Sequence, residues 1–358
     1  MACPLPVRDL TAEQKYDLIT SNLKDVIRGD IIQGILPHRP LKIYWGTATT
    51  GRPHAAYFLP AIKVAQFLQA GCQVKILLAD LHGFLDADKA PEDVLEHRAQ
   101  YYERVIRALL RSVGVDLTHL TFVRGSSYQL TPRFSRDLLR LSKRVSIHNA
   151  IKASSEIVKC MGEPTMADGI YPLMQLLDEE YLDVDAEFGG LDQRKTFALA
   201  NDNIHKMGFK VRAHLMSPMV PGLSGGKMSS SDPKSKIDLI DDAATIRKKI
   251  SKAVCAPRIA ENNGILAFIQ HVLLPVSALR SHNGTPSIAV VLPGQTEPTA
   301  FTSFEQIVSA YEADTLTPKA AKAIVQDGLI GLTESIRADF ETDKAWQDVA
   351  RKAYPDLA

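Results

Sequence analysis

The sequence predicts an α/β protein in which a Rossmann-like, doubly wound parallel sheet is followed by a smaller, mainly helical carboxy-terminal domain. Two short apolar runs, LKIYWGT at 41–47 and VKILLAD at 74–80, flank a helical segment. Strand–helix–strand units of this length are nearly always right-handed crossovers between parallel strands. After about Lys236 the pattern becomes mostly helical. A chain of 358 residues has room for two domains, and we place them at 1–235 and 236–358.

Composition restricts the class of protein. The chain is 45% hydrophobic and 23% charged, and its 42 basic and 41 acidic residues give a formal net charge of +1. These values exclude a disordered or fibrous protein and argue against one that coats DNA through general positive charge. They leave open a nucleic-acid partner that binds one local basic patch.

Cysteine usage and the amino terminus indicate the compartment. Cys3, Cys72, Cys160 and Cys255 are far apart and form no CxxC pair, so we expect no disulfide framework and no tightly bound metal. The first residues lack a signal or transit pattern, and no apolar run approaches the roughly 18 residues of a membrane helix. We therefore expect a soluble cytoplasmic protein.

The amino-terminal half contains the clearest helix patterns. Residues 11–36 carry apolar side chains at helical intervals and predict one amphipathic helix. Residues 55–69 predict a second helix that ends at Gly71, and 91–112 predict a third, with proline at its start and arginine in its last turn. The first helix precedes the sheet, whereas the second is the crossover between the two apolar runs.

Further along the chain, a strand with a following loop is predicted within 117–130 and a final strand within 211–220. From 236 onward the chain reads as a series of helices interrupted by one short β-like piece, SIAVVLPG at 287–294. This change of pattern is the reason for placing the domain boundary near 232–240.

Two stretches are unusually charged. Residues 133–160 are strongly basic and residues 178–187, DEEYLDVDAE, are strongly acidic. Solvated helix faces explain both stretches most simply. The alternative for the basic stretch is contact with a nucleic-acid phosphate backbone.

Two loops have the composition of anion sites. The first, GTATTGRPH, follows a predicted strand and ends where a helix begins, so its backbone N–H groups and the imidazole of His54 can donate to a phosphate. The second, GGKMSSS, places Lys227 beside three serine hydroxyls in a loop with much backbone freedom. Taken singly, the first is an ordinary helix start and the second an ordinary flexible linker.

Together, in this order and spacing, the two loops resemble the two signature motifs of the class I aminoacyl-tRNA synthetases. His54-Ala55-Ala56-Tyr57 stands where the family has His-Ile-Gly-His, and KMSSS at 227–231 stands where it has Lys-Met-Ser-Lys-Ser. Tyr57 thus replaces the second histidine, and Ser230 replaces the second lysine. The stretches around them, including YPLMQLLDEEYLDVDAEFGGLDQRK, are similar to the tyrosyl branch of this family, closest to its eukaryotic cytosolic members.

The resemblance implies which side chains bind the amino acid. Tyr44 and Asp178 match the positions that contact the phenol, and Tyr171, Gln175 and Gln193 match those around the α-ammonium group. Positions 171, 175 and 178 also share one face of a helix by their spacing. A carboxylate that accepts a hydrogen bond from a phenol would discriminate against phenylalanine, because phenylalanine has no hydroxyl group and would leave the carboxylate without a partner.

The resemblance also implies an ATP site and a mechanism. Its residues fall in two overlapping groups. The residues for ATP binding are Gly46, Thr49, His54, Tyr57, Gly189, Gly190, Asp192, Lys227 and Met228, and those for catalysis are His54, Thr49, Lys227, Ser229, Ser230 and Ser231. ATP would be a substrate, with Mg²⁺ bound through its phosphates. The reaction would form an aminoacyl-adenylate and pyrophosphate and then charge a tRNA, with catalysis arising from placement and charge.

The family further implies L-tyrosine and tRNA(Tyr) as partners and a homodimer whose interface lies largely in an insertion at about 110–165. Lys248, Lys249 and Lys252 are candidates for tRNA contact in the helical domain, with a solvated face as the alternative.

Three other hypotheses compete: a tryptophanyl-tRNA synthetase, a nucleotidyltransferase of the same fold that acts without tRNA, and a non-catalytic RNA-binding or signalling relative. Tyr44 with Asp178 favours a phenol over an indole.

Overall fold

The structure is a computed structural model that describes residues 9–86, 89–158, 162–219, 222, 236–292 and 294–355. Its strands are β1 (Asp25–Ile27), β2 (Lys42–Ala48), β3 (Gln73–Ala79), β4 (Leu120–Arg124), β5 (Ala186–Gly190), β6 (Ala213–Ser217), β7 (Ile288–Val291) and β8 (Pro298–Phe301). The first six form one sheet in the order β1-β6-β5-β2-β3-β4, and β7 and β8 pair with each other. The strands predicted at 41–47, 74–80, 117–130 and 211–220 are all present.

The central sheet is parallel except for β1, which runs antiparallel to β6. From β2 the chain adds β3 and β4 on one side, and then returns to add β5 and β6 on the other. The winding direction therefore reverses between β2 and β5. In doubly wound sheets this reversal opens a crevice at the carboxyl ends of the two strands, where ligands bind. The predicted fold class is confirmed.

The helices are α1 (Ala12–Thr20), α2 (Gly29–Ile35), α3 (Phe58–Gln69), α4 (Asp80–Leu85), α5 (Leu95–Ser112), α6 (Ser126–Gln129), α7 (Pro132–Ser142), α8 (Ile147–Ser154), α9 (Met166–Tyr181), α10 (Arg194–Asn203), α11 (Ala243–Ser251), α12 (Gly264–Phe268), α13 (Leu274–Arg280), α14 (Phe304–Glu312), α15 (Pro318–Thr342) and α16 (Lys344–Ala353). A π-helical turn, Ile269–Leu273, joins α12 to α13, and short 3₁₀ turns precede α3, α5, β4 and α10 and follow α10. None of the helices among the described residues is both long and apolar enough to cross a membrane.

The two faces of the sheet are covered by different helices. Phe188 of β5 packs edge-on against Phe67 of α3, with ring centroids 5.4 Å apart. His214 of β6 stacks on Phe197 of α10 at 4.5 Å on the opposite face. Because side chains alternate along a strand, the neighbour of Phe188, Glu187, also points to the face that α9 and α10 cover. The polar residues of the candidate site lie on that second face.

The amino-terminal segment differs from the single helix predicted at 11–36. It forms α1, the edge strand β1 and α2. Asn22 and Arg28 adopt positive φ angles of 56° and 57°, a left-handed conformation that ends a right-handed helix. The apolar side chains of the segment fit the helix period, but Val26 and Ile27 pair with β6 instead. Pairing with the sheet edge thus overrides the helical pattern.

The carboxy-terminal helices pack directly onto the α/β part. Tyr101 of α5 contacts both Trp346 of α16 and Tyr354, with ring centroids 6.4 Å and 5.2 Å apart. One buried apolar cluster runs from the sheet to α15 and α16. The helical pattern predicted after 236 is present, together with the β-like piece as β7. The domain division at 235/236 remains a prediction.

Candidate active site

A cavity of about 390 Å³ opens at the carboxyl ends of β2 and β5, where the winding of the sheet reverses. Its walls come from β2 and the following loop, α9, β5 and the turn after β5. Most of the residues singled out in the sequence line it: Tyr44, Gly46, His54, Tyr57, Tyr171, Gln175, Asp178, Gly189, Gly190, Asp192 and Gln193. We call the part lined by Tyr44, Tyr171, Gln175, Asp178 and Glu187 the α9 end, and the part lined by Gly46, Thr47, Thr50, His54 and Tyr57 the loop end.

Asp178 is the central polar group of the α9 end. Its Oδ1 accepts hydrogen bonds from the Tyr128 hydroxyl and from Gln129 Nε2, both at 2.7 Å. Its Oδ2 is buried and has no hydrogen-bond partner. Burial raises the pKa of Asp178 to about 8, although the two hydrogen bonds oppose that shift. An unsatisfied carboxyl oxygen in a cavity wall can accept a hydrogen bond from a ligand hydroxyl.

Two neutral groups complete the surroundings of that oxygen. Tyr44 is buried, its hydroxyl also lacks a hydrogen-bond partner, and burial raises its pKa well above the usual value. His82 Nε2 lies 3.8 Å from Asp178 Oδ2. Burial lowers the pKa of His82 to about 4, so the imidazole is neutral at pH 7. The α9 end therefore offers a phenol, an imidazole and a carboxyl group in an apolar setting.

Gln175 is held by a carboxyl group and a second amide. Its Nε2 donates to Glu187 Oε1 at 2.8 Å and to Gln193 Oε1 at 3.0 Å. Since the amide nitrogen is used in both bonds, Gln175 Oε1 is the acceptor available to a ligand. Tyr171 lies one helical turn before Gln175 and packs edge-on against His82, with ring centroids 4.6 Å apart. These acceptors and hydroxyls suit a cationic ligand group.

His54 begins the loop end. It caps the 3₁₀ turn Ala55–Tyr57, and its Nδ1 accepts from the backbone N–H of Ala56 at 3.4 Å. Burial and then the charge of Lys236 lower the pKa of His54 to about 4. A neutral imidazole that accepts at Nδ1 carries its proton on Nε2, so His54 can donate from Nε2. Tyr57 binds Thr47, with 3.1 Å between the hydroxyl oxygens.

The segment that follows the second motif lies beside His54. Ala55 N–H donates to the Ile237 carbonyl at 2.8 Å, and His54 forms an antiparallel bridge with Asp238. Asp238 also binds Arg52 at 3.2 Å. Lys227, Met228, Ser229, Ser230 and Ser231 lie outside the described residues. The contacts of Ile237 and Asp238 therefore place only the end of that connection next to the loop end.

Thr49 is not brought to the cavity. Its side chain is fully buried, and a Cβ built on Gly83 would lie 3.3 Å from both its backbone nitrogen and its hydroxyl. Thr49 thus packs against α4 behind the wall, whereas Thr47 and Thr50 line the cavity. The loop singled out in the sequence lines the cavity, but it does so through Thr47 and Thr50 and not through Thr49.

Gly189 and Gly190 are required by the side chains that follow them. A Cβ on Gly189 would lie 2.8 Å from Gln193, and one on Gly190 would lie 2.6 Å from Asp192 Oδ1. A Cβ atom does not approach another heavy atom this closely, so either substitution would displace a side chain of the cavity wall. The two glycines allow Asp192 and Gln193 to fold back over the end of β5.

Several residues that line or support the α9 end are not predicted from the sequence: His82, Tyr128, Gln129 and Glu187. A weak signal existed for His82, because a polar residue soon after a parallel strand lies at the carboxyl edge of the sheet. No sequence signal was available for Tyr128 and Gln129, whose contacts with Asp178 depend on how α6 packs under α9. Glu187 lay in the acidic stretch interpreted as solvated, yet it is 3% exposed.

Comparison with known proteins is consistent with this geometry. The family model described as class I tRNA synthetases (W and Y) matches residues 36–332. A cytoplasmic tyrosine–tRNA ligase of Saccharomyces cerevisiae is 48% identical over 346 residues, which cover 96% of this chain and 88% of the relative. The enzyme of the same name from Danio rerio is 46% identical, and the match covers 97% of this chain but 64% of that longer protein.

Solved structures show the same fold. The tyrosyl-tRNA synthetase of Archaeoglobus fulgidus, solved with L-tyrosine, is 29% identical, has a TM-score of 0.84, and matches 92% of this chain and 99% of its own. A tryptophanyl-tRNA synthetase of Aeropyrum pernix has a TM-score of 0.67 at 19% identity, covering 90% of this chain and 84% of its own. The second match supports the fold alone.

Proposed function

The chain belongs to the class I tRNA synthetases of the tryptophan and tyrosine family, and from that premise we propose that it is a tyrosine–tRNA ligase. It activates L-tyrosine with ATP, forming tyrosyl-adenylate and pyrophosphate, and transfers the tyrosyl group to the 3′-terminal adenosine of tRNA(Tyr). The observation that carries this proposal is the unpartnered Oδ2 of Asp178 in the cavity wall beside Tyr44.

Asp178 supports tyrosine over its two nearest competitors. A phenol hydroxyl that donates to Oδ2 satisfies a buried oxygen, whereas phenylalanine would leave that oxygen without a partner. Tyrosyl-tRNA synthetase is itself the standard example of such discrimination, so the effect is expected here and not newly derived. An indole N–H is also a donor, but an indole is larger than a phenol and would have to fit beside Tyr44 and His82, which line the cavity together with Asp178.

The first reaction step needs placement and charge, not a general base. The carboxylate of tyrosine is ionised at pH 7 and attacks the α-phosphorus of ATP; the bond to the β-phosphate oxygen breaks, and pyrophosphate leaves with the electron pair. Gln175, Tyr171 and Gln193 hold the α-ammonium group and thereby direct the carboxylate toward the loop end. The ammonium group stays away from the phosphates and keeps its charge at the α9 end.

The loop end stabilises the negative charge that develops on the phosphates. His54 donates from Nε2 to a phosphate oxygen, and the backbone of the Gly46–Thr50 segment allows ATP to approach closely. Gly189, Gly190 and Asp192 bind the adenosine, with the carboxylate accepting from ribose hydroxyls. Lys227 and the serines at 229–231 neutralise the departing pyrophosphate, with Met228 beside the nucleotide. The threonine expected to assist is Thr47 or Thr50 instead of Thr49.

Mg²⁺ is expected to bind through the phosphates of ATP and to neutralise part of their charge. The side chains that line the loop end among the described residues, such as Thr47, Thr50 and His54, are neutral. These neutral side chains suit a Mg²⁺ ion whose ligands come mainly from the ATP phosphates and from water. No carboxylate cage is therefore needed at the loop end for the proposed reaction.

The helical carboxy-terminal part is proposed to bind the anticodon region of tRNA(Tyr). Lys248 and Lys252 on and after α11 are exposed and free to approach a phosphate backbone. Lys249 instead donates to Asp241 Oδ2 at 2.6 Å, so its charge is already matched within the protein. We therefore propose that Lys248 and Lys252, and not Lys249, contact the tRNA.

A homodimer is proposed on the face formed by the 110–165 region. Leu130, Leu139 and Ile147 within this region, and Met166 just after it, are each between 66% and 70% exposed, which is high for large apolar side chains. The curated relatives are named as cytoplasmic enzymes, and we propose the same location for this chain.

The test is exchange of labelled pyrophosphate into ATP, measured with tyrosine, tryptophan and phenylalanine in parallel and without tRNA. We expect exchange with tyrosine alone. Exchange with tryptophan would contradict the assignment of the α9 end while leaving the family unchanged. No exchange with any of the three in Mg²⁺ buffer would favour a nucleotidyltransferase with another substrate or a non-catalytic relative.

A further inference from the structure

Three polar side chains form a row across the sheet beneath the α9 end. Tyr44 of β2 is in register with Glu187 of β5, and Glu187 is in register with His214 of β6. Residues in register on parallel strands point to the same face, which here is the face covered by α9. Glu187 lines the cavity, whereas His214 does not, so the row leads from the ligand site into the protein interior.

Helix α9 adds two carboxyl groups to this row. Glu179 Oε1 binds His214 Nε2 at 2.8 Å, and Asp178 is the residue before it. Oxygens of Glu179 and Glu187 and a ring nitrogen of His214 all lie within 4.8 Å of one another, and all three residues are buried. Glu179 Oε2 and Glu187 Oε2 have no hydrogen-bond partner.

Among the residues that the structure describes, no lysine or arginine forms an ion pair with Glu187, and the charges that act on it come from carboxyl groups. His214 Nε2 is bound to Glu179 Oε1 at 2.8 Å, so this ring nitrogen is already used by another carboxyl group. His82 is held neutral by burial. Lys75, the residue in register with Tyr44 on the other side, donates its ammonium group to the Leu182 carbonyl. The described groups that act on Glu187 are Gln175, which donates to it, Tyr44, and the carboxyl groups of Glu179 and Asp178.

We propose that Glu187 is a positioning residue for the amino acid, and that its carboxyl group is protonated in the empty site and releases that proton to solvent when the α-ammonium group of tyrosine binds. The positive charge of the ammonium group then balances the negative charge of the ionised Glu187 carboxylate. The inference rests on the proposed function, because it takes the bound cation to be that of tyrosine.

The contact with Gln175 explains how Glu187 positions the ligand. Glu187 Oε1 accepts from Gln175 Nε2, which turns the amide oxygen of Gln175 toward a cationic ligand. Burial, followed by the charge of Glu179, raises the pKa of Glu187 well above its usual value, in agreement with a protonated empty state. Binding a cation stabilises the ionised form, so proton loss and tyrosine binding are linked.

The linkage is measured by calorimetric titration of the full chain with tyrosine, without ATP, in buffers of different ionisation enthalpy. We expect release of about one proton per tyrosine, and an affinity that rises by up to about tenfold per pH unit until Glu187 is already ionised in the free protein. Glu187→Gln should bind tyrosine with proton release near zero and without this rise. Glu334→Gln, an exposed glutamate on α15, should behave as the wild type.

Several results would overturn the proposal. Wild-type binding without proton release would do so, as would equal release from Glu187→Gln. The same three atoms could also surround a divalent metal ion. One equivalent of retained metal, lost in His214→Ala, would mean that an ion holds the carboxylates ionised in the empty site. A chain that binds no tyrosine contradicts the proposed function itself, whereas binding without proton release contradicts only the role of Glu187.

Discussion

The α9 end of the cavity is held together by side chains that bind one another, whereas the loop end is held by contacts to its backbone. Asp178 is fixed by Tyr128 and Gln129. At the loop end the Gly51 carbonyl accepts from the Tyr102 hydroxyl, and the Thr50 carbonyl accepts from the Tyr354 hydroxyl at 3.2 Å. Substrate selection is thus placed in the packed core, while phosphate chemistry is placed on a loop.

This difference has a consequence for coupling within the molecule. Tyr354 follows α16, 304 residues along the chain from Thr50, and Ile237 and Asp238 lie just beyond the second motif. The loop end therefore depends on segments from the carboxy-terminal half, whereas the α9 end depends on β2, β5, α6 and α9. Substitutions at the two ends should change different kinetic constants.

The largest effect is expected at Asp178. Asp178→Asn replaces one carboxyl oxygen with an amide nitrogen, so the side chain can no longer accept hydrogen bonds both from the phenol and from Gln129 Nε2. We therefore expect kcat/KM for tyrosine in pyrophosphate exchange to fall by about 10³-fold. The preference for tyrosine over phenylalanine should shrink with it. Asp202→Asn, an exposed change on α10, serves as the matched control. An unchanged preference in Asp178→Asn would show that selection lies elsewhere.

The next effect is expected at His54. His54→Ala removes a donor to the phosphates that acts mainly in the transition state, so kcat should fall by about 10²-fold. KM for tyrosine should remain within about twofold of the wild-type value. The exposed His38→Ala is the control. A rise in KM for tyrosine at constant kcat would contradict the separation of the two ends.

Stability should depend on pH through Asp178. Its pKa is raised to about 8 by burial, above the value of an exposed aspartate, so the folded state binds more protons than the unfolded state between about pH 4 and 8. Stability contributed by this group is therefore present at low pH and is lost as the pH rises, by on the order of 1 kcal/mol per pH unit at most.

Denaturant unfolding at pH 5.5 and pH 8 would measure this loss, and Asp178→Asn should show a smaller decrease than the wild type. Equal decreases in the two proteins would show that the carboxyl group is ionised at both pH values in the folded state.

The smallest effect is expected at Tyr354. Tyr354→Phe removes one neutral hydrogen bond to the Thr50 carbonyl, worth about 0.5–1.5 kcal/mol, and should lower kcat several-fold without changing tyrosine binding. Tyr16→Phe on α1, which does not line the cavity, is the control. A loss of tyrosine affinity in Tyr354→Phe would mean that the carboxy-terminal helices also support the α9 end.

The sequence predicted the parts of the fold that local pattern controls. The apolar runs of β2 and β3 and the helix α5 were recognised because their periods and end signals agree with their final structure. The sequence does not predict β5, because its first two residues belong to the acidic stretch at 178–187, which suggests a solvated surface. Local pattern does not distinguish a carboxylate in water from one that is buried and paired through tertiary contacts.

The same limit applies to the site. Tyr44, Asp178 and Gln175 were identified through resemblance to a family, and the structure gathers them in one cavity. Glu187 carries no local signal, because its role depends on register with Tyr44 and His214 across three strands. Thr49 was selected over Thr47 and Thr50 because a sequence shows which loop is involved but not which side chains turn inward.

The separation of the two ends is tested most directly by calorimetric binding of tyrosine, without ATP, to Asp178→Asn and His54→Ala. We expect His54→Ala to bind tyrosine as the wild type does, and Asp178→Asn to bind it on the order of 10²-fold more weakly or not measurably. Wild-type affinity in Asp178→Asn, or lost affinity in His54→Ala, would contradict the assignment of amino-acid selection to the α9 end alone.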